Sequence, residues 1–489
     1  MPVARILAEI GDGTDRFTTT AVMRVEHDLR DRGSCPDGEG CCCDAPALGR
    51  GSHAQPRGLN SHTRCGCKLT NLHMITRLIM SIILNMSTVM ARLQFRTLLM
   101  ARASIWIAGA ITAVALPMAV YQRTGRADLA ALLAGFIVTP YIVVGLFAGA
   151  LADRHRIRSV ALLTTSACAL AFGSIPVAQM LGVLTTPHLF VSALVANTAL
   201  VFFDAAMFAA LPAIVGRDRI AEAFASMTAV STVIGLGGPA LGGLIAGWWS
   251  PEYTLTISAV MFVVSAVVFL ILDEPVRELS HRETTILRDI GAGLGFIVRN
   301  RIVRSLTLLG LGNSIAEGVL SGLVVVTVSE WFGMTLDGPY LGFAYSAMTV
   351  GGFLGALILP RLGRRVRIGT ITTLGLIVAA GGLAAWSQQP LYWIGLVALV
   401  VYQIGATVVI LNGVTERARV TPDYLQGRVN TTARMFAWGG QPVGAYLAAA
   451  LVGTIGIAGT QRVGIVILIV TAGIAAFALR GLRREEPSN

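Results

Sequence analysis

From residue 103 onward the apolar residues of this chain come in charge-free blocks, and charge returns only in the short stretches between them. A bilayer core about 30 Å thick is crossed by about 20 residues of helix, so blocks of that length predict membrane-spanning helices. In the first half they cover residues 103–121, 129–152, 159–180, 189–215, 223–250 and 253–272, the fourth interrupted only by Asp204. Residues 273–304 are charged and read as a polar, partly helical loop. The second half repeats the pattern at 305–329, which carries Glu317, and at 338–360, 368–386, 391–412, 435–453 and 463–479. The charge-free stretch 368–415 is far too long for one crossing, and Ser387-Gln388-Gln389-Pro390 supplies the turn inside it. The expected fold is therefore all-α and integral to the membrane, with twelve helices in two six-helix pseudo-repeats. The predicted halves are residues 95–272 and 305–480, joined by the central loop 273–304 and followed by a tail, 481–489.

Arginine distribution gives the orientation, because basic residues accumulate in short cytoplasmic loops. One set of connections carries Arg154, Arg156 and Arg158; Arg217 and Arg219; Arg361, Arg364, Arg365 and Arg367; and Arg417, Arg419 and Arg428, together with the central loop and the tail. The opposite set holds only Arg123, Arg126 and Arg462. Both termini are expected on the cytoplasmic side of the inner membrane. The halves also echo one another: Gly149-Ala-Leu recurs as Gly355-Ala-Leu, and Pro239 with Gly242 finds a counterpart in Pro442 with Gly444, at nearly the same offset. Parallel six-helix repeats are a known transporter architecture.

Composition agrees with lipid as the solvent: 54% of the 489 residues are hydrophobic, 13% are charged, and mean hydropathy is +0.69. The net charge of +11 would suit nucleic acid only if it clustered on one soluble face, and here arginines punctuate apolar blocks instead. No nucleic-acid partner is expected. Residues 1–88 fit none of this plan, being rich in glycine, cysteine and arginine. They read as a disordered or mis-called N-terminal extension, with Met74, Met80, Met86 and Met90 as alternative starts. Cys41, Cys42, Cys43, Cys65 and Cys67 with His53, His62 and His73 offer thiolate and imidazole ligands, but the spacing of the recognised zinc modules is missing, so no metal site is expected.

Motifs at the junctions carry a family resemblance. Gly149-Ala-Leu-Ala-Asp153-Arg154-His-Arg156-Ile-Arg158 resembles the signature loop of the major facilitator superfamily. Ala115-Leu-Pro-Met-Ala-Val-Tyr121 with Thr124-Gly125, Leu211-Pro212 and Gly427-Arg428-Val429 are similar to the branch containing macrolide and siderophore exporters, over essentially 95 to the end. The resemblance implies a gating role for Gly149, Asp153, Arg154 and Arg158, with Asp153 latching the two halves against a helix terminus. Such a latch is worth about 0.3 to 1 kcal/mol, a reversible scale. Arg156 and Ile157 depart from the family pattern. In the fifth block Gly235-Leu-Gly-Gly238-Pro239-Ala-Leu-Gly242-Gly243 resembles the family's antiporter motif, where glycines let helices approach and proline bends one. Its leading glycine is displaced, since Ile234 stands in that place.

An ionisable residue inside the bilayer costs roughly 2.5 to 3.5 kcal/mol on insertion scales, so Asp204 and Glu317 demand a reason. Burial favours the neutral form of a carboxyl group, which makes both candidates for proton coupling. The alternative is that one of them pairs with a neighbouring helix or serves as a cytoplasmic-side gate. Asn313, Asn197, Gln403, Asn412 and Gln441 are uncharged polar residues in predicted spans, able to hydrogen-bond a substrate or to tie helices together. Asn313 is favoured because it lies one turn from Glu317. No phosphate-cradling loop is present, and all seven histidines lie outside the spans or at their edges, so neither ATP-driven transport nor a membrane enzyme is expected. The reading is a secondary active, proton-coupled exporter of small hydrophobic or amphiphilic, drug- or macrolide-like compounds. It needs no cofactor and acts as a monomer, its partners being the substrate, protons and the lipid bilayer. A dedicated metabolite or siderophore exporter, or a sensor that kept the fold, are the alternatives.

Overall fold

The computed structural model describes residues 93–145, 147–148, 155–216, 219–271, 286–336, 338–363 and 366–479. Within them every regular element is a helix, and the expected plan of crossings is met. Six belong to the first half: α1 (Leu93–Thr124), α2 (Ala127–Val143), α3 (Ile157–Met180), α4 (Thr186–Val215), α5 (Ile220–Trp249) and α6 (Pro251–Ile271). An amphipathic helix, α7 (Ile286–Arg299), then leads into α8 (Arg301–Val326), α9 (Tyr340–Gly363), α10 (Ile368–Gln388), α11 (Tyr392–Val420) and α12 (Asp423–Ala478). The 56-residue α12 breaks at Gly456, where φ is 71° and ψ 178°, a conformation only glycine adopts without strain. Its two limbs are the eleventh and twelfth crossings.

Several helices outrun their apolar blocks. α1 starts ten residues before the first block, because Phe95, Leu98 and Leu99 already bury against the bundle and carry Arg102 inside with them. α8 begins at Arg301 rather than 305, because the Asn300 side chain accepts from the amides of Ile302 and Val303 at 3.0 and 3.1 Å and caps the helix there. It also runs on as a π-helical turn, Thr327–Trp331. α11 continues past Asn412 to Val420 and buries Glu416 and Arg417 in its last turns.

The outward faces show which solvent the helices meet. Leu163, Leu170 and Val177, a heptad apart on α3, are 73%, 75% and 55% exposed, and α6 turns Val260, Val263, Val267 and Leu270 outward in the same way. Contiguous apolar surface of this kind is suited to acyl chains, not water. Inside, one core joins α1, α3, α4 and α6 around Phe95, Phe172, Phe203, Phe262 and Phe269. A second joins α8 to α12 around Leu320, Trp386 and Tyr402. The halves meet where α2 packs on α12 and α8, through Ala131, Val319, Leu323, Ala448 and Val452, and where α5 packs on α9.

Candidate functional site

Glu317 sits near the middle of α8, on a helix held unusually close to α12. A methyl group added at Gly318 would collide with the Gln441 carbonyl oxygen, and one at Gly444 with that of Ile315. Small residues at these positions bring the two backbones together and fix the face that α8 turns inward. On that face Tyr402, fully buried on α11, donates its hydroxyl to Glu317 Oε2 at 2.9 Å. Glu317 is itself half-buried. One turn earlier Asn313 is 0% exposed, yet neither its amide nitrogen nor its oxygen has a hydrogen-bond partner. The side-chain oxygen of Gln403, next to Tyr402 on α11, is unpartnered too. Buried polar atoms are nearly always satisfied, so these three atoms stand out on α8 and α11, with Asn313 one turn from Glu317 and the Gln403 side chain against Gly351 and Gly352 of α9.

The remaining polar candidates separate from this group. Asn412 donates to Ile368 O at 3.3 Å and to Thr372 Oγ1 at 3.0 Å, tying α11 to α10. Asn197 bonds back to Ala193 O within α4, and the Gln441 backbone forms part of the α8–α12 contact.

Asp204 lies elsewhere, and not alone. Arg102 of α1 pairs with it at 2.6 Å, and the Tyr141 hydroxyl donates to its other oxygen at 3.3 Å. The guanidinium lies over the rings of Trp106 and Phe203, 5.1 and 5.3 Å from their centroids. Beside the pair opens a cavity of about 300 Å³, bordered by α1, α2 and α4 and, from the second half, by Arg434 and Met435 of α12. Along the sequence Arg102 reads as the boundary of the first span, which hides this pairing. The apolar residues on its N-terminal side are the available signal.

The glycine-proline segment of α5 lies between the halves. A methyl at Gly242 would stand 3.0 Å from Ile111 Cα of α1, and one at Gly243 would stand 3.2 Å from the Gly342 amide of α9. Conversely, a methyl at Gly342 would fall on Pro239 O. Gly238 faces Ala110. The motif is therefore a close three-helix contact joining α1, α5 and α9. At the same end of the bundle the Tyr121 hydroxyl of α1 donates to Glu330 in the π-helical turn, a second link between halves that has no signal in the sequence pattern. Of the loop candidates, Arg158 donates to Leu270 O and ties α3 to α6. Gly149, Asp153 and Arg154 lie outside the described residues, as do the expected N-terminal extension, residues 1–88, and the tail, 481–489.

Twelve crossings in two halves, with two half-buried carboxylates inside them, fit a membrane transporter. The family description "Major Facilitator Superfamily" matches residues 98–438, and the chain belongs to that superfamily. Among curated proteins it is 25% identical to "Enterobactin exporter EntS" of Escherichia coli O1:K1 / APEC, across 83% of this chain and 97% of that one. It is 24% identical to the protein of that name from Shigella dysenteriae serotype 1, over the same shares. Among solved structures, a bacterial homologue of the human lysosomal transporter Spinster, inward-facing and unoccupied, superposes with a TM-score of 0.64 at 16% identity, covering 81% of this chain and 97% of that one. The nucleoside transporter NupG gives 0.61 at 14%, covering 79% and 98%. At such identities these two likenesses speak for the fold alone. The chain is a multi-pass membrane transporter that resembles siderophore exporters.

Proposed function

We infer that the chain is a secondary active exporter of small hydrophobic or amphiphilic compounds, driven by proton antiport across the inner membrane and worked by alternating access. The observation that carries this is the Glu317 environment. Its polar partner is a neutral hydroxyl, Tyr402, so the carboxyl group can gain or lose a proton without stranding a buried counter-ion. Asp204 differs, since protonating it would leave Arg102 unpaired in the bundle. Glu317 is thus the coupling carboxylate in this reading, and Asn313 and Gln403 the polar contacts for substrate. The membrane potential supplies about 2.3 kcal/mol per charge per 100 mV, enough to drive one exchange.

In this scheme the substrate enters from the cytoplasm or inner leaflet, the halves rock about the α2–α12 and α5–α9 contacts, and protonation of Glu317 from outside favours release. Asp153 and Arg154 serve the gating loop together with Arg158, and arginine-rich connections keep both termini cytoplasmic. Export, rather than import, is supported by the curated relatives, which are exporters by name. That name also supports a second reading, a dedicated exporter of a siderophore. Accumulation of a panel of dyes, macrolides and other hydrophobic drugs in a pump-deficient bacterium tests the first. Lower accumulation with the wild type, lost on adding an uncoupler and lost in Glu317→Gln, is the expected result. If no compound moves, the multidrug reading fails and a dedicated substrate takes its place; if Glu317→Gln exports as well as the wild type, the coupling assignment fails.

A further inference from the structure

We propose that the groove between α10 and the second limb of α12 is a binding site for an anionic phospholipid, which lays one acyl chain along it. The deep part of the groove, about 530 Å³, is apolar except for Thr373. Gly381 of α10 and Gly473 of α12 line it, both exposed, and a methyl added at either would touch nothing. Gly375 and Gly382 of α10 differ, because the α11 backbone presses against them. Close packing therefore explains those two, while Gly381 and Gly473, each unfavourable in a helix, leave the groove open. Leu376, Leu383 and Leu468 of the same helices are fully buried, whereas Leu374, Ile377 and Ile469 at the groove are exposed, so it opens outward to the bilayer. An unfilled furrow there forfeits dispersion contacts that an acyl chain would restore.

One end of the groove sets the headgroup. Through Thr373 and Ala476 the deep part continues into a second cavity of about 280 Å³, which reaches Arg367 and Thr370 at the start of α10. At 1.5 Å per residue the run from Arg367 to Ala384 is about 25 Å long. Half of the hydrocarbon core is about 15 Å, so the groove covers one leaflet with its headgroup layer, the reach of a single phospholipid. Thr372 donates its hydroxyl to Ile368 O, but the buried hydroxyl of Thr373 has no hydrogen-bond partner. It lies about 9 Å along the helix from Arg367, at the depth of the ester carbonyls beneath a phosphate held there. Charge complements the ligand: segments 361–367 and 480–486, which lead into α10 and follow α12, carry seven arginines and two glutamates. Arginine recognises phosphate through paired donors, and basic residues beside a span attract anionic lipids. Assigning the site to the inner leaflet rests on the cytoplasmic placement of those segments; its lipid chemistry does not, and neither rests on Glu317 or on export.

The test is photo-labelling of the full chain in phosphatidylcholine nanodiscs. The discs are doped with a small fraction of phosphatidylglycerol bearing a diazirine on its acyl chain or, in parallel, of phosphatidylcholine bearing the same chain, and adducts are mapped by peptide mass spectrometry. In the wild type, phosphatidylglycerol should label residues 373–384 and 465–476 at least about fivefold more than phosphatidylcholine. Arg367→Gln should lower that ratio by about the same factor. Gly381→Leu combined with Gly473→Leu fills the groove from positions where a new side chain meets no neighbour. It should remove the labelling there while labelling of the outward face of α3, at Leu163 and Leu170, persists and reports an intact fold. Equal labelling by the two lipids, a ratio unchanged in Arg367→Gln, or groove labelling unchanged in the double variant would each overturn the proposal. Discs that hold two chains, with the groove unlabelled, would assign it to a second copy instead and overturn the proposal as well. No transport is measured, so a lipid preference that follows Arg367 would stand even if drug export failed.

Discussion

Replacing Gly342 by alanine should shift the balance between transport conformations rather than unfold the protein. The new methyl would fall on Pro239 O and stand 2.6 Å from Ala240 Cα, whereas ordinary contacts begin at 3.4 Å. Helices α5 and α9 must therefore part by about 1 Å, and overpacking of this kind typically costs about 1–3 kcal/mol. Because α5 and α9 belong to different halves, rocking relieves the clash without dismantling either core. The same energy expressed as a population shift is about 5- to 150-fold toward the state open at that end. Spin labels at Leu181 and Leu391, exposed at this end in different halves, in a cysteine-free background, read the separation by electron-electron resonance. The long-distance population should rise sharply in Gly342→Ala while the melting temperature falls little. An unchanged distance distribution with a lowered melting temperature would refute the reasoning, for it would mean that the contact is static packing.

Other substitutions divide stability from conformation. Gly444→Ala puts a methyl on Ile315 O within one half, where no rocking relieves it, so it should cost about 1–3 kcal/mol of stability, seen as a lower melting temperature in detergent. Asn412→Ala removes both bonds from α11 to α10 and should destabilise by about 1–3 kcal/mol while leaving export per folded molecule unchanged, as measured by efflux normalised to intact protein. Tyr121→Phe removes the hydroxyl donated to Glu330 and should move the same spin-label distances in the same direction as Gly342→Ala, with a smaller shift of about 0.5–1.5 kcal/mol.

Much of the architecture was legible because a membrane span is a local property. About 20 apolar residues announce a crossing whatever they pack against, and the turn at Ser387 to Pro390 could be placed inside a long charge-free stretch for the same reason. Helix ends were less legible, since they depend on caps and on polar residues that packing draws inward. Asn300 starts α8 early, and Glu416 and Arg417 lie buried beyond the point where the apolar block stops. The carboxylates stood out by the cost of burying them, but their partners did not. Tyr402 is far from Glu317 in sequence, and Arg102 is as far from Asp204, so both pairings are made by helix packing alone. The uncharged polar residues show the same limit. Asn313 and Asn412 look alike as letters, yet one is an orphan a turn from Glu317 and the other a tie between helices.

Proton antiport is tested most directly in proteoliposomes containing this protein alone, with a pH-sensitive dye trapped inside and an imposed pH gradient. A compound that the accumulation panel identifies as exported should move against its own gradient while protons run the other way. Glu317→Gln should abolish the proton flux and the uphill movement of the compound, leaving only its downhill exchange. Substrate movement with no accompanying proton flux, or full coupling in Glu317→Gln, would contradict the account.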